Sequence, residues 1–373
     1  EETDTGLPST SGDTLEKLKN LTDSEETKGY IQALMDFNAA DKVLGTFIPA
    51  LEGALPTEDG IHRLFGNFNL AGTISGRMSS NDPNLMNLPS GSKYGKAIKR
   101  CFNTRTKGNH PEWLWVCADF PALEERVNAL LTRDPNKMKV YSDGYDGHSL
   151  RTKAYWPDKF AHLSDSVEDV NSIQTTDGGM RSKSKTVSFA LQYGGTWNTL
   201  VSNSGFTPIE AKRIVNNYDT LYEVSKRWMD TELEVAATQG YATGAFGLRI
   251  RCPTMSRYTW RGMDAMPHNV KQEARSIGNA LGGQSYGLLN NRAMNEVMEN
   301  VYSDKLQNDI IPISLIHDAL YFMVRNDVRT LKYSRKLIKK AMAWQKLPEL
   351  HHDAIGFEVD VEAGISWDSV QII

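Results

Sequence analysis

Two apolar runs, each interrupted by one aspartate, constrain this chain more than any other feature. Trp113–Phe120 reads WLWVCADF, a continuous apolar segment of buried-strand length, with Asp119 near its end. Ile310–Val324 reads IIPISLIHDALYFMV, two apolar segments around His317-Asp318. That is the pattern of a β-hairpin with a polar tip, and in isolation also that of an ordinary surface turn. A lone carboxylate in an apolar strand is costly unless it is paired or binds a metal. If the two strands neighbour one another in a sheet, Asp119 and Asp318 converge on one point.

Such a pair makes an all-oxygen site of the kind Mg2+ favours, completed by substrate phosphates and water. Two ions there would hold the attacking and leaving oxygens of an in-line phosphoryl transfer. A second stretch fits the same chemistry. Arg181–Gly194, RSKSKTVSFALQYG, is unbroken by Gly or Pro until its last residue. The spacing predicts a helix on which Arg181, Lys185, Phe189 and Tyr193 recur at every fourth residue. Four-residue steps drift by about 40° each on a 3.6-residue turn, so the four share one broad face. Two cations, a ring and a phenol suit a nucleoside triphosphate, with cations on phosphates and the ring against sugar and base. Alone, the run also reads as a solvated basic stripe ending in core aromatics.

With 373 residues, 40% of them hydrophobic, the chain can bury a sizeable core in two or three subdomains. Its net charge of −4 does not announce nucleic-acid binding, although a local basic cleft is compatible with it. Cys101, Cys117 and Cys252 are too few and scattered for a disulfide framework or zinc cluster, and fit reduced thiols. No apolar run approaches the roughly 20 residues of a membrane span, so no membrane partner is expected.

Along the chain, Asp13 is expected to cap a helix from Thr14, with Glu16 completing a capping box. Thr27–Leu51 has helical apolar spacing and reads as an amphipathic arm. Residues 53–110 read as strands and loops. Within them Thr73–Pro89, TISGRMSSNDPNLMNLP, is a turn-rich loop. There Arg77, with Gly76, Ser79 and Ser80 beside it, suits a phosphate backbone. Lys93, Lys96, Lys99 and Arg100 form a short basic cluster at helical spacing. Leu123–Leu131 reads as a helix with Glu124 and Arg126 near its start, and Asp143–Leu150 as a turn into a helix bearing His148. Ser164–Gly179 is expected to be an exposed, mobile loop and Pro208–Gln239 one long helix. Ala245–Pro253 reads as a strand, Val270–Val301 as a helix carrying Gln284 among small residues, and Phe357–Ser366 as a strand.

Together these segments resemble one known family. TISGRMSSNDPNLMNLP is similar to the TGRLSSxxPNLQNIP signature of family A DNA polymerases, the bacterial polymerase I type. VCADFPALEERV resembles their first catalytic motif, RSKSKTVSFALQYG their fingers-helix motif R-x3-K-x3-F-x3-YG, and LIHDAL their VHDE hairpin. The motifs stand in the family's order, and the resemblance covers most of the chain. It implies a mixed α+β, right-hand polymerase fold with an antiparallel palm sheet, helical fingers and a partial helical thumb. The thumb would be residues 1–52, the palm 53–142 and 266–373, and the fingers 143–265.

The resemblance also implies an activity: template-directed addition of deoxynucleotides to a primer 3′-OH, with two Mg2+ ions. By position, Asp119 and Asp318 would ligate the metals, helped by the Phe120 carbonyl. Arg181, Lys185 and His148 would bind the triphosphate, and Phe189 would stack beside the incoming nucleotide. Tyr193 would sit at the templating position. Glu124 would abut the sugar C2′ and exclude ribonucleotides. Arg77, Arg100, Gln284 and His317 would contact the primer–template. The fingers helix would swing shut on a matching nucleotide. The implied partners are primer–template DNA, dNTPs, and a processivity factor or upstream exonuclease or helicase domains. The implied place is the cytoplasm of a bacterium or phage-infected host, or an organelle. Thumb sequence ahead of Glu1 is implied too, which would make the chain the C-terminal part of a longer protein.

Three departures mark a divergent member, of phage or organelle type. Ala319 replaces the Glu that follows the hairpin Asp, Pro121-Ala122 replaces Ser-Gln, and Asn279 stands five residues ahead of Gln284 instead of four. Two other readings compete. One is a single-subunit RNA polymerase, against which Glu124 and Phe189 argue. The other is a catalytically silent primer–template scaffold, supported by Ala319 and opposed by the retained aspartates, Arg181 and Lys185.

Overall fold

Trp113–Asp119 forms a strand, β1, at the centre of a five-stranded antiparallel sheet in this computed structural model. The structure describes residues 8–58, 60–89, 94–104, 106–107 and 110–373. The expected hairpin is formed by β2 (Ile310–Ile316) and β3 (Ala319–Arg325), joined by His317-Asp318. With β4 (Asp360–Gly364) and β5 (Gln371–Ile372), the order is β2–β3–β1–β4–β5.

The run at Trp113 is continuously apolar because both sheet faces are covered. Val116 and Ala118 of β1, Leu320, Phe322 and Val324 of β3, and Val361 of β4 bury one face completely. Each large side chain buried in this way contributes roughly 1.5–3 kcal/mol. The helices Leu288–Ser303 and Val328–Met342 pack on this hairpin. The other face carries Trp115, Cys117 and Tyr321 under Met86, Phe68, Phe102 and Trp367. Trp115 stacks on Trp367 at 5.8 Å, and Tyr321 meets the same ring edge-on at 4.9 Å. Alternation along β1 puts Asp119 on this second face.

The chain forms two compact units, residues 1–46 with 132–230 and residues 47–131 with 231–373. The sheet belongs to the second. The first is built of helices around Tyr155, Trp156, Ile173, Val187, Leu200 and Ile214.

Several local expectations are corrected. The first helix, Gly12–Leu21, starts ahead of Asp13 and is capped by Ser11, whose hydroxyl accepts the Thr14 N–H at 3.3 Å. The arm at Thr27–Leu51 divides into Glu25–Lys42, a π-helical turn at Val43–Phe47, and Ile48–Glu52, where Pro49 lacks an N–H for the ladder. Ser164–Gly179 is not a loop. It holds the helix Val167–Thr176, capped by Ser166 and anchored by buried Val170 and Ile173, a pair too sparse to stand out in polar sequence. Pro208–Gln239 breaks at Tyr222, which turns into the core so that its hydroxyl accepts Arg151 Nε at 2.9 Å. Val270–Val301 breaks at Gly283, so Gln284 sits in a 3-10 turn, Gln284–Gly287, between helices His268–Gly282 and Leu288–Ser303. Of the basic cluster, Lys96, Lys99 and Arg100 lie on the helix Gly95–Arg100, and Lys93 lies outside the described residues. The three cysteines are free thiols.

Candidate active site

The sheet register brings the two aspartates together. Asp119, last in β1, is paired with Ala319 of β3 on one side and Asp360 of β4 on the other. Asp318 directly precedes Ala319, so both carboxylates stand at one end of the sheet. His317 reaches the tip with φ +52°, the left-handed conformation that a two-residue hairpin demands. Asn290, fully buried on Leu288–Ser303, donates its amide to the His317 carbonyl at 3.1 Å and so fixes the tip. Sequence reasoning missed Asn290. The available signal was an amide among Leu289, Ala293, Val297 and Val301 on one buried helix face.

Burial, and then the charge of Asp318, push the Asp119 carboxyl up to about 6, against a 2.9 Å hydrogen bond from the Phe120 N–H. Asp318 is also raised, by burial first, with Arg77 and His317 opposing and Glu124 adding to the rise. A measurable consequence follows. The folded chain binds the Asp119 proton more readily than an unfolded carboxyl of pKa about 3.9. Ionised Asp119 therefore costs stability above about pH 6, and this cost is relieved as pH falls toward 4. Asp119→Asn is expected to raise the thermal midpoint of the metal-free chain at about pH 7.5 and to raise it less at about pH 5. Solvent access at Asp119 keeps the effect to about 1 kcal/mol or less. An equal difference at both pH values would contradict the assignment.

Arg77 joins the expected DNA-contacting loop to the site. Its Nη2 forms an ion pair with Glu124 and lies 3.3 Å from Asp318 Oδ1. Two glycines permit this approach. A Cβ on Gly287 would sit 3.1 Å from Arg77 Cγ and Nε, and one on Gly283 (φ +155°) would sit 3.1–3.2 Å from Glu124 atoms. Asn128 donates to the Gly282 carbonyl at 3.0 Å, tying the Glu124 helix, Leu123–Thr132, to the same helix end. Arg77, Glu124, Asp318 and Asp119 thus form one constellation. Phe120 is buried against Phe357. Arg100 is paired instead with Asp368, at 2.8 Å on the surface, beside Lys99 over the Trp367 ring.

In the helical unit, the predicted helix is Gly178–Gln192, with Tyr193 at its C-cap. Ser184, Val187, Ser188 and Leu191 face inward. Lys185, Phe189 and Tyr193 are exposed. The two inward serines let the helix Gly147–Tyr155 approach closely. Ser184 Oγ donates to the His148 carbonyl at 2.8 Å, and Ser188 Oγ lies 2.9 Å from the Tyr155 hydroxyl. His148 is thereby held with its ring 6.4 Å from that of Phe189, and Lys185 Nζ lies 5.9 Å from the same ring. Arg181 makes a bidentate pair with Asp146, both contacts at 2.8 Å. Asp146 also caps the Gly147–Tyr155 helix through the Ser149 N–H at 2.7 Å. Burial would raise Asp146, but Arg181 and Ser149 bring it down to about 2. Sequence reasoning named Arg181 and missed Asp146 as its partner, since an Asp before a helix reads only as a cap.

The site is thus an antiparallel sheet whose central strand ends in an aspartate beside a second, hairpin-borne one. The sequence profile of DNA polymerase family A matches residues 1–369, and the chain belongs to that family. It is 26% identical over 366 residues to DNA polymerase I of Bacillus subtilis (strain 168), covering 96% of this chain and 36% of that one. It is 29% identical over 251 residues to the thermostable DNA polymerase I of Thermus aquaticus, covering 67% of this chain and 27% of that one. The chain thus spans about a third or less of these relatives' length. Its fold matches the POL domain of Pol1 from M. smegmatis, solved in complex with DNA primer-template and dNTP. That match has a TM-score of 0.76 at 21% identity, over 99% of this chain and 58% of that one. The expected mixed α+β class with an antiparallel sheet is the class observed.

Proposed function

We propose that this chain is the polymerase region of a polymerase I-type enzyme and extends primer 3′ ends with deoxynucleotides under template direction. The observation that carries this reading is the convergence of Asp119 and Asp318 at one sheet end, in a chain that belongs to DNA polymerase family A. The subdomain assignment proposed with it is thumb 1–52, palm 53–142 and 266–373, and fingers 143–265. The bacterial sources of the relatives named above support a bacterial cytoplasmic setting. No helix of the described residues is long and apolar enough to cross a membrane.

The donor set fits divalent cations. Two neighbouring carboxylates offer hard oxygens, and cations would offset the burial that raises both groups and the Asp318 charge that adds to the rise at Asp119. Among the described residues no three His, Cys, Asp or Glu side chains are placed to hold an ion by themselves. Asp119 and Asp318 would therefore hold Mg2+ together with substrate phosphates and water, and the Phe120 carbonyl would assist. Two such ions, when bound, supply charge neutralisation at the attacking and leaving oxygens.

The remaining groups bind and position. Lys185, His148 and Arg181 would take the triphosphate, Arg181 by exchanging Asp146 for phosphate oxygens. Phe189 would lie against the incoming nucleotide and Tyr193 at the templating base. Arg77 neutralises Asp318 and Glu124, so contact with the primer terminus requires it to trade a carboxylate for a nucleic-acid acceptor. Gln284 and His317 would contact primer–template on either side of that exchange. Arg77 also fixes the Glu124 carboxylate, which then stands as the group a ribose 2′-OH would meet.

The test is primer extension by the full chain, with dNTPs and rNTPs in parallel. Extension is expected with dNTPs only. Glu124→Ala is expected to raise ribonucleotide use relative to deoxynucleotide use by roughly tenfold to a hundredfold. Unchanged sugar selectivity would remove Glu124 as the gate. Tight primer–template binding without extension would favour the silent scaffold and make Ala319→Glu the first reversion to try.

A further inference from the structure

The helix Val328–Met342 carries Arg329, Lys332, Arg335, Lys336, Lys339 and Lys340 and no acidic residue. In a chain of net charge −4 this is a segregated block of charge. Five of the six cations are exposed, and Lys339 is half-buried. Among the described residues, none of the six is ion-paired. The block also works against the helix itself. Lys332/Lys336, Arg335/Lys339 and Lys336/Lys340 are like charges four residues apart, and such pairs destabilise a helix. Only the last-turn lysines gain from the helix dipole. A merely solvated face would mix its signs.

The helix packs on β3, β4 and the helix Leu288–Ser303 through Ser334, Ile338, Ala341 and Met342. No residue of this helix takes part in the cluster covering the Trp115 face, which is also the face of Asp119. The basic surface therefore lies on the far side of the sheet from the aspartates. Its chemistry selects the partner. Protein interfaces enrich aromatics and deplete lysine at their cores. This surface has four lysines, and its one aromatic, Tyr333, is half-buried and bonded to Asp304. From Arg329 to Lys340 the cations span about 16 Å at 1.5 Å per residue. A nucleic-acid strand presents a phosphate about every 3.4 Å of axis, so several fall within that span.

We propose that the Val328–Met342 helix is a second, sequence-independent nucleic-acid contact, which takes a phosphate backbone on the sheet face opposite the aspartates. The experiment compares the full chain with a variant carrying Lys332→Gln, Arg335→Gln, Lys336→Gln and Lys340→Gln. Probes are a blunt duplex of about 30 base pairs and a single strand of equal length, across a salt series. The variant is expected to bind one or both at least about tenfold more weakly at about 100 mM salt. The slope of log K against log salt should be shallower by about 3, at roughly 0.9 per lost phosphate contact on a duplex and 0.7 on a single strand. A duplex-only effect identifies double-stranded nucleic acid as the partner, and a strand-only effect single-stranded.

Primer extension on a short hairpin primer–template should be retained, and the thermal midpoint should not fall, because the changes remove repulsion. In the unmodified chain, the same nucleic acid should protect Lys332, Lys336 and Lys340 from acetylation. Unchanged affinity and slope for both probes, or absence of protection, overturns the proposal. Polyglutamate that binds through these lysines more tightly than DNA would overturn it too, in favour of an acidic protein partner.

Discussion

Asn in place of Asp318 is expected to lower single-turnover primer extension by about a thousandfold or more while leaving primer–template affinity within about threefold. The side chain keeps its shape and loses its charge. A carboxylate that holds cations on transferring phosphates is worth several kcal/mol in the transition state, and each 1.36 kcal/mol is tenfold in rate. DNA affinity depends on cations along the backbone and should be nearly indifferent to this change. Asp119→Asn should behave alike in extension, since both carboxylates stand at the same end of β1 and β3. The two variants should differ from Arg77→Ala, which removes the ion-pair partner of both Asp318 and Glu124. That change should weaken primer–template binding as well as extension. Extension by Asp318→Asn near the unmodified rate would sink the metal assignment, and loss of DNA binding in step with extension would point to a structural role for the carboxylate.

Lys185→Ala should reduce kcat/KM for dNTPs by roughly a hundredfold to a thousandfold, the usual loss when one aimed donor to developing phosphate charge is removed. Lys185 is exposed on the outer face of Gly178–Gln192, and among the described residues it has no carboxylate partner. Its removal should leave the thermal midpoint unchanged. Arg181→Ala should separate from it. Arg181 is committed to a bidentate, partly buried pair with Asp146, so its loss should cost about 1 kcal/mol of stability as well as activity. Thermal melts run beside steady-state kinetics distinguish the two. A Lys185→Ala enzyme with normal kcat/KM would remove this helix face from nucleotide binding.

The sequence alone determined the parts whose signals are local. An apolar run of strand length, a polar pair between apolar segments and a four-residue recurrence are set by periods of 2 and 3.6. Hence β1, the β2–β3 hairpin and the Gly178–Gln192 helix were legible, with Asp119, Asp318, Lys185 and Phe189 on them. The motif order was legible for the same reason and named the family. The tertiary structure decided what depends on partners far apart in the chain. It paired Asp119 with Ala319 and Asp360, placed Arg77 between Glu124 and Asp318, and set buried Asn290 beneath the hairpin tip. It tied Arg181 to Asp146 and sent Arg100 to Asp368. It broke two expected helices at Tyr222 and Gly283, where a core hydrogen bond and a close backbone approach outweigh helical spacing. Charges and amides find partners by distance in space, and a distance in space has no period in sequence.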